Sequence, residues 1–358
     1  MMIQRRKTRE VKVGNIIIGA GAPVSIQSMC NTDTCDTEAT LAQVEALAKA
    51  GCAIVRIAVP NKEAAEAFAK IRKQTHVPLV ADIHFNHRLA VAAIEAGADK
   101  VRINPGNIGA EYKVREVVDA AKAAHIPLRV GVNSGSVEKK ILEKHGGPTP
   151  QALVESSAGY AAMMERMKFE AVVFSIKASG VPETIEACRE FSKRFDYPLH
   201  IGITEAGTVR AGSIRSAVGI GALLAEGIGD TIRVSLAGDP LQEIFAAKVI
   251  LRCLGLAKGP AVIACPTCGR TQIDVAGLAE KVENLLADVD ADIKVAVMGC
   301  VVNGPGEAKE ADVGVAGGKS EGAIFVKGIV KEKVREAEIL DTLRRSIDDI
   351  LARKSRTQ

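Results

Sequence analysis

The sequence predicts an α/β protein in which a (β/α)8 TIM barrel is followed by a small α+β domain. Two observations predict the barrel: extended, β-branched runs recur through about the first 240 residues, and alanine-rich segments of helical period separate them. A third observation predicts the second domain, because the pattern changes character after a Gly/Pro-containing joint at 255–260. We therefore place the domains at 1–257 and 261–358.

Eight runs have the β-branched enrichment of strands. They are Val24–Met29, Ile54–Val59, Leu79–Phe85, Lys100–Gly106, Leu128–Asn133, Ala171–Ala178, Leu199–Glu205 and Thr231–Leu236. Strands that alternate with helices form parallel βαβ units, and eight such units close into a barrel. An open doubly wound sheet is the alternative, but no G-x-G-x-x-G fingerprint follows the first run.

Helical segments lie between these runs. The clearest are Thr37–Ala50, Lys62–Thr75, Arg88–Ala96, Ile185–Arg194 and Leu241–Leu254. Gly51 and Gly97 directly follow two of them, and glycine at that position is typical of a helix C-terminus.

The second domain has about a hundred residues, which is near the lower range for independent folding. We expect a strand before Cys265, a helix around Val275–Leu286, a strand ending at Cys300, strands near Val313 and Ile324, and a charged helix over 336–352. The charge run at Lys327–Glu338 is typical of solvated surface.

Composition excludes several classes of function. Only 3% of residues are aromatic, none is Trp, and the net charge is +4, which argues against a nucleic-acid-binding protein. No run of about 18 apolar residues predicts a membrane span. The basic start lacks the apolar segment of a secretion signal, and eight scattered cysteines do not resemble a disulfide framework. We expect a cytoplasmic protein.

Positive side chains mark the carboxyl ends of the predicted strands. Side chains two apart in a strand share a face, so several polar pairs point the same way. These pairs are Asp82 with His84, Arg102 with Asn104, Ser175 with Lys177, and Arg233 with Ser235; Arg129 and Asn133 also share a face. With Arg56, five strands carry cations, and only Asp82 and Glu205 are obvious counterions. The pattern predicts an anionic ligand, a phosphate or diphosphate, at the catalytic face.

Three side chains at this face are candidates for chemistry. Glu205 is the natural acid or base, next to Thr204 at the end of the seventh run. His84 can donate to an oxygen atom or serve as a structural hydrogen-bond partner. Lys177 can form a Schiff base or contact a phosphate.

Three cysteines of the second domain predict a metal centre. Cys265 and Cys268 have chelating C-x-x-C spacing, and Cys300 follows a strand. A structural zinc needs four ligands, yet this domain has no His and no fourth Cys. A [4Fe–4S] cluster fits three thiolates if Glu307, presented by the Asn-Gly-Pro-Gly turn, binds the fourth iron. Alternatively, Glu307 is a surface residue, and water or a barrel cysteine completes the site.

These motifs resemble the 4-hydroxy-3-methylbut-2-enyl diphosphate synthases of the non-mevalonate isoprenoid pathway. The resemblance covers nearly the whole chain. It is carried by CPTCGR (265–270) and MGCVVNGPGEA (298–308), with SIQSM (25–29), ADIHFN (81–86), VRINPGNIG (101–109), RVGVNSGS (129–136) and GITEAG (202–207). The short joint at 255–260 matches the bacterial two-domain form, which lacks the central domain of plant-type members.

The resemblance implies roles for particular residues. Cys265, Cys268, Cys300 and Glu307 would bind a [4Fe–4S] cluster, and Glu205 would be the catalytic carboxylate. The residues that would hold the substrate diphosphate or its neighbourhood are Arg56, Arg102, Arg129, Lys177, Arg233 and Ser235, with Asn104, Asn133, His84 and Thr204 nearby.

The resemblance also implies reduction of 2-C-methyl-D-erythritol 2,4-cyclodiphosphate to the hydroxymethylbutenyl diphosphate. Because no nucleotide fingerprint is present, we expect the electrons to come from a partner protein. The resemblance implies that this partner is flavodoxin or ferredoxin. A six-residue joint leaves the second domain little freedom to cover its own barrel. We therefore expect a head-to-tail homodimer whose active sites are shared between chains.

Two functions from other classes remain open at this point. One is a barrel lyase or aldolase that uses Lys177 on a phosphorylated substrate and carries a structural zinc. The other is a binding module with a zinc-ribbon tail for nucleic acid, which the composition already disfavours.

Overall fold

The computed structural model describes residues 3–287, 289–300 and 309–355, and the chain divides into two compact units, 1–257 and 258–358. None of the helices within the described residues has the length and apolar character that a membrane crossing needs.

The first unit is a barrel of eight parallel strands preceded by a β-hairpin. The hairpin strands are β1 (Val11–Val13) and β2 (Ile16–Ile18). The barrel strands are β3 (Ser25–Met29), β4 (Ile54–Ala58), β5 (Leu79–Asp82), β6 (Lys100–Ile103), β7 (Leu128–Asn133), β8 (Val172–Lys177), β9 (His200–Ile201) and β10 (Thr231–Ile232). Neighbours pair in chain order, β10 pairs with β3, and a parallel bridge between Phe174 and Leu199 closes the ring. The predicted barrel is confirmed.

Ten helices of the first unit surround or flank the barrel. They are α1 (Thr37–Lys49), α2 (Lys62–Arg72), α3 (His87–Glu95), α4 (Pro105–Ile108), α5 (Glu111–Ala123), α6 (Lys139–His145), α7 (Pro150–Arg166), α8 (Val181–Arg194), α9 (Val209–Ala225) and α10 (Pro240–Cys253). Local chemistry sets their ends. The Asp36 and Asn61 side chains accept hydrogen bonds from the first turns of α1 and α2, and Gly51 and Gly97 take positive φ just after α1 and α3.

Several barrel strands are shorter than the sequence predicts. β9 and β10 end at Ile201 and Ile232, although the extended patterns continue to Glu205 and Leu236. The chain stops pairing there and turns, and Glu205 has a φ of +52°, which no strand accommodates. The surplus residues therefore form the loops at the carboxyl ends of the strands.

The hairpin β1–β2 is not predicted from the sequence, and it closes the amino-terminal end of the barrel. Val13 and Ile18 are fully buried against Ile54 and Val80 from the barrel interior. The basic start of the chain anchors the adjoining segment, since Arg5 forms an ion pair with Asp230 at 3.0 Å. The hairpin therefore forms an apolar floor at the amino-terminal end of the barrel, opposite the polar carboxyl ends of the strands.

The second unit is a five-stranded mixed sheet with helices on one face. Its strands are β11 (Ala261–Ala264), β12 (Lys294–Met298), β13 (Val313–Gly318), β14 (Glu321–Val326) and β15 (Ile329–Arg335), in that order. In the parts of this unit that the structure describes, the α-helices are α11 (Val275–Leu285) and α12 (Ile339–Ser355). β11, β12 and β13 run parallel, so the first two end side by side, just before Cys265 and Cys300.

The charge run at Lys327–Glu338 is largely exposed, as predicted, but most of it forms the edge strand β15. Lys331, Glu332, Lys333 and Arg335 place four charges on this strand, a composition that discourages edge-to-edge association.

Ile18→Ala should destabilise the barrel by about 3 kcal/mol, because it leaves a cavity under the strands. Ile17→Ala on the same strand is the matched control, since Ile17 is 42% exposed and should cost well under 1 kcal/mol. Urea unfolding followed by circular dichroism gives both values. Equal effects would show that the hairpin does not seal the barrel.

Candidate active site

Five cations lie at the carboxyl ends of the barrel strands, as the alternation of the sequence predicts. They are Arg56, Arg102, Arg129, Lys177 and Arg233. The most accessible of the five, Arg233, is only 16% exposed. Because burying an ion costs several kcal/mol unless it is compensated, each of these groups needs a negative or polar partner.

Asp82 is the central counterion of this cluster. Its carboxylate accepts a hydrogen bond from Arg102 Nη1 at 3.2 Å and lies 4.0 Å from Arg56 Nη1. His84 Nε2 is 3.3 Å from its second oxygen. Burial acts to raise the pKa of Asp82, but Arg56, His84 and Arg102 together hold that pKa well below its usual range. Asp82 is therefore a fixed negative charge.

Glu243 is the second counterion, and the sequence does not identify it. Its carboxylate accepts two hydrogen bonds from the Arg233 guanidinium, both at 3.0 Å. It also accepts from the Ser28 hydroxyl at 2.7 Å and the Leu236 amide at 3.1 Å. The residue lies in the first turn of α10, on the face that buries Pro240 and Ala247. A carboxylate on an apolar stripe is the pattern that could have revealed it.

The sequence suggests Glu205 as a counterion of the five cations. In the structure, Glu205 forms no ion pair with any of them. Among residues 3–287, 289–300 and 309–355, ion pairs of the five cations reach only Asp82 and Glu243. Glu205 is exposed and accepts a hydrogen bond from Ser179 at 3.1 Å. Its left-handed backbone is a strained conformation, of the kind that clusters at functional sites.

Arg129 and Lys177 have no carboxylate within 4.0 Å in the described parts of the chain, although they are only 2% and 8% exposed. Burial, and then the charge of Arg129, lower the pKa of Lys177 well below its ordinary value of 10.5. Glycines make room for these cations. A Cβ on Gly202 would lie 2.8 Å from Lys177 Nζ, and one on Gly131 would lie 3.2 Å from Arg102 Nε. An anion bound here would supply the missing negative charge.

The remaining predicted barrel residues surround this cluster at the same end of the strands. Asn104 is buried, and its side-chain oxygen accepts from the Gly106 amide at 3.2 Å, so it also begins α4. Asn133 is fixed through its backbone by the Ser136 hydroxyl. Thr204 and Ser235 are half-buried, and His84 is 52% exposed.

The three predicted metal-binding cysteines lie at one edge of the second unit's sheet. The Cys265 amide donates to the Val297 carbonyl, which joins the ends of β11 and β12. The Cys265 Sγ accepts from the Gly299 amide at 3.1 Å, and Gly299 precedes Cys300. The Cys268 amide donates to Thr271 Oγ1 at 3.1 Å, which fixes the turn that follows the C-x-x-C motif.

Glu307, the predicted fourth ligand, lies outside the described residues. Within those residues, no three His, Cys, Asp or Glu side chains converge on a point where a single metal ion could bind.

Comparison with known proteins identifies the family. A family profile described as the GcpE TIM-barrel domain matches residues 8–248, and one described as the GcpE protein C-terminal domain matches residues 261–349. The chain belongs to the GcpE family. This result confirms the resemblance found in the sequence.

Full-length relatives in the family share about half of the residues of this chain. A protein of Geobacter sulfurreducens is 54% identical over 98% of this chain and 99% of its own length. One of Maridesulfovibrio salexigens is 56% identical over 95% of each. Both are named 4-hydroxy-3-methylbut-2-en-1-yl diphosphate synthase (flavodoxin). Such relatives give no support to a lyase or aldolase with a structural zinc.

Solved structures show the barrel fold in more distant proteins. The 3-dehydroquinate dehydratase of Geobacillus kaustophilus matches with a TM-score of 0.51 at 15% identity, covering 71% of this chain and 98% of that one. At this identity the match shows the fold alone.

Glu243→Gln should destabilise the protein by about 3 kcal/mol, because it leaves the Arg233 charge buried without a counterion. The matched control is Glu226→Gln. Glu226 forms a similar fork with Arg189 on the surface, where the loss should be below about 1 kcal/mol. Thermal unfolding of both variants distinguishes a buried counterion from an ordinary surface pair, and similar losses would contradict the assignment.

Proposed function

We propose that this chain reduces 2-C-methyl-D-erythritol 2,4-cyclodiphosphate to 4-hydroxy-3-methylbut-2-en-1-yl diphosphate. Two electrons and two protons enter, the cyclic diphosphate opens, and one water molecule leaves. The observation that carries this proposal is the cluster of five buried cations with two carboxylates, in a chain of the GcpE family. In this proposal, residues 1–257 bind the substrate and residues 261–358 hold a [4Fe–4S] cluster.

In the proposed complex, Arg129 and Lys177 bind the diphosphate most directly, since they lack carboxylate partners. Arg56 and Arg102 share Asp82, so each retains donors for phosphate oxygens, and Arg233 presents the edge that Glu243 does not occupy. Asn104, Asn133, Thr204 and Ser235 supply uncharged hydrogen bonds around them. The buried site excludes water, which strengthens each of these interactions.

Glu205 and His84 are the proposed proton-handling groups. Glu205 lies at the rim on a strained backbone and is linked to Ser179, so its carboxylate is accessible and held in place. His84 is oriented by Asp82, which leaves its exposed edge free to donate to a substrate oxygen. Glu205 therefore exchanges a proton with the substrate, and His84 donates a hydrogen bond to a substrate oxygen.

The residues of the second unit fit an iron–sulfur cluster. Cys265 and Cys300 follow the ends of two paired strands, and Cys268 lies three residues after Cys265. The Gly299 amide donates to Cys265 Sγ, as amides commonly do to cluster sulfurs. Different irons of a cubane bind different thiolates, so the cysteines need not converge as ligands of one ion do. Glu307 remains the proposed fourth ligand. When bound, the cluster supplies electrons one at a time.

The proposed electron donor is flavodoxin, as in the relatives' names, with ferredoxin as the other candidate. The cytoplasm predicted from the sequence suits thiolate ligands, because an oxidising compartment would convert them to disulfides.

An apolar surface supports the proposed homodimer. The α9–α10 patch consists of exposed side chains on two neighbouring helices. They are Ile214 and Val218 on α9 and Leu241, Phe245 and Val249 on α10. Their spacing of four residues forms a stripe along each helix. Exposed apolar stripes of this kind mark interfaces, and a second copy of the chain is the proposed occupant.

Binding of inorganic diphosphate should be accompanied by proton uptake at Lys177. In the free protein the pKa of Lys177 is well below 10.5, and a bound anion raises it by favouring the ammonium form. The affinity for diphosphate should therefore increase as pH falls toward the pKa of Lys177 in the free protein, because the bound form carries one more proton. Isothermal titration in buffers of different ionisation enthalpy measures the uptake. Lys177→Met should remove the difference, and unchanged uptake in that variant would contradict this assignment.

Protein purified without oxygen should contain about four iron and four sulfide per chain and should convert the cyclodiphosphate with reduced flavodoxin. Cys268→Ser should lose most of the iron and the conversion. Cys253→Ser, an exposed cysteine on α10, is the matched control and should keep both. One zinc per chain without sulfide would refute the proposed cofactor.

Phe245→Glu should convert the dimer to monomer in sedimentation velocity, because it places charge in the α9–α10 patch. Tyr112→Glu is the control, since Tyr112 is 60% exposed on α5. A Phe245→Glu variant that stays dimeric would show that the α9–α10 patch is not the interface.

If the active sites are shared between chains, mixing Glu205→Ala and Cys300→Ser chains should restore some conversion of the cyclodiphosphate. If the mixed chains show no conversion, the active sites are not shared between chains.

A further inference from the structure

A second polar cluster is buried inside the barrel, on residues to which the proposed function assigns no part. It consists of Ser25, Gln27, Lys100, His200 and Thr231, each no more than 7% exposed. Their polar side-chain atoms are buried and have no hydrogen-bond partner among residues 3–287, 289–300 and 309–355: Ser25 Oγ, Gln27 Oε1 and Nε2, Lys100 Nζ, His200 Nδ1 and Nε2, and Thr231 Oγ1. We call these five residues the inner polar cluster.

Strand register places the cluster in the barrel interior. Thr231 is the neighbour of both Ser25 and His200 in adjacent strands, and Gln27 lies two residues beyond Ser25 on the same face. Lys100 precedes Arg102 by two residues on β6 and faces the interior from another side of the barrel. The cluster therefore surrounds the same space from several strands.

Arg129 connects this cluster to the candidate site. Within the described parts of the chain, its Nε and Nη1 atoms are also buried without hydrogen-bond partners. Arg129 is the register partner of Arg102, and Lys100 lies two residues before Arg102 on the same face of β6, so Arg129 and Lys100 are diagonal neighbours inside the barrel. Burial, followed by the charge of Arg129, lowers the pKa values of both Lys100 and His200 well below their ordinary values. The inward side of Arg129 therefore lies next to the inner polar cluster.

Unpartnered buried polar atoms are rare because each costs the desolvation of its group. A bound anion would satisfy only the donors and would leave Gln27 Oε1 and the unprotonated His200 nitrogen without partners. Water molecules satisfy donors and acceptors together, and buried water typically makes about three hydrogen bonds. The mixture of atoms in the cluster therefore favours water.

We propose that the inner polar cluster binds a small group of enclosed water molecules, which hold the inward side of Arg129. Lys100 and His200 are then positioning residues that orient Arg129 toward the ligand. This orienting role rests on the proposed function, because it assumes that Arg129 binds the diphosphate. The enclosed water itself does not depend on that assumption.

A crystal structure of the full chain at high resolution, with and without a sodium bromide soak, tests the occupant directly. We expect water density bridging Lys100, His200 and Arg129, with no anomalous bromide peak there. A bromide peak at the cluster would show that the cluster binds an anion and not water, and it would overturn the proposal. Empty density between these side chains would overturn it equally.

Binding of inorganic diphosphate by titration calorimetry tests the positioning role. Lys100→Met removes the polar atom, and we expect the dissociation constant to rise about tenfold, with the melting temperature unchanged or higher. Lys100→Gln restores a donor and an acceptor and should bind within about twofold of the original chain. Lys193→Met, on the exposed end of α8, is the control for loss of a lysine.

The outcomes separate the two proposals. Unchanged affinity in a folded Lys100→Met chain would reject the positioning role, because a merely structural residue would alter only stability. If that variant does not fold, His200→Leu provides the same comparison. Failure of the unaltered chain to bind diphosphate would instead contradict the proposed function, while the water density would still decide the occupant.

Discussion

Basic side chains outnumber carboxylates in the barrel interior, and the arrangement of the first unit depends on this imbalance. Arg56 and Arg102 share Asp82, and Arg233 pairs with Glu243. Among the described residues, Arg129 and Lys177 have no carboxylate within 4.0 Å, and Lys100 Nζ has no hydrogen-bond partner. Burying so much charge is costly in a free protein. In the proposed complex a bound diphosphate recovers part of that cost, so the proposed site is most stable when it is occupied.

Other features of the unit make room for the cations or keep them in place. Gly131 and Gly202 leave space where a side chain would collide with Arg102 or Lys177. Glu243 fixes Arg233 and also holds the Ser28 hydroxyl, so one carboxylate ties α10 to β3. The hairpin β1–β2 seals the opposite end with apolar side chains, which keeps bulk water from reaching the charges from below. The contacts that stabilise the unit are thus the same ones that hold the proposed diphosphate-binding residues in place.

The sheet of the second unit places two cysteines that are distant in sequence at neighbouring strand ends. Cys265 and Cys300 are far apart in sequence, yet parallel pairing of β11 with β12 ends both strands at the same edge. The amide of Gly299 then donates to the Cys265 sulfur. A rigid sheet edge is a suitable support for a cluster, because its ligands need little reorganisation when the redox state changes.

The sequence by itself determined the eight-stranded barrel and the common face of the cations, because each depends on short, regular spacings. Tertiary structure alone decided that Glu243 is the counterion of Arg233, that the hairpin forms the floor, and that Glu205 lies in a turn beyond β9. Strand alternation shows which way a side chain points, since its period is two residues. It does not show which group from another element the side chain meets, because that partner is set by how helices and loops pack around the closed barrel.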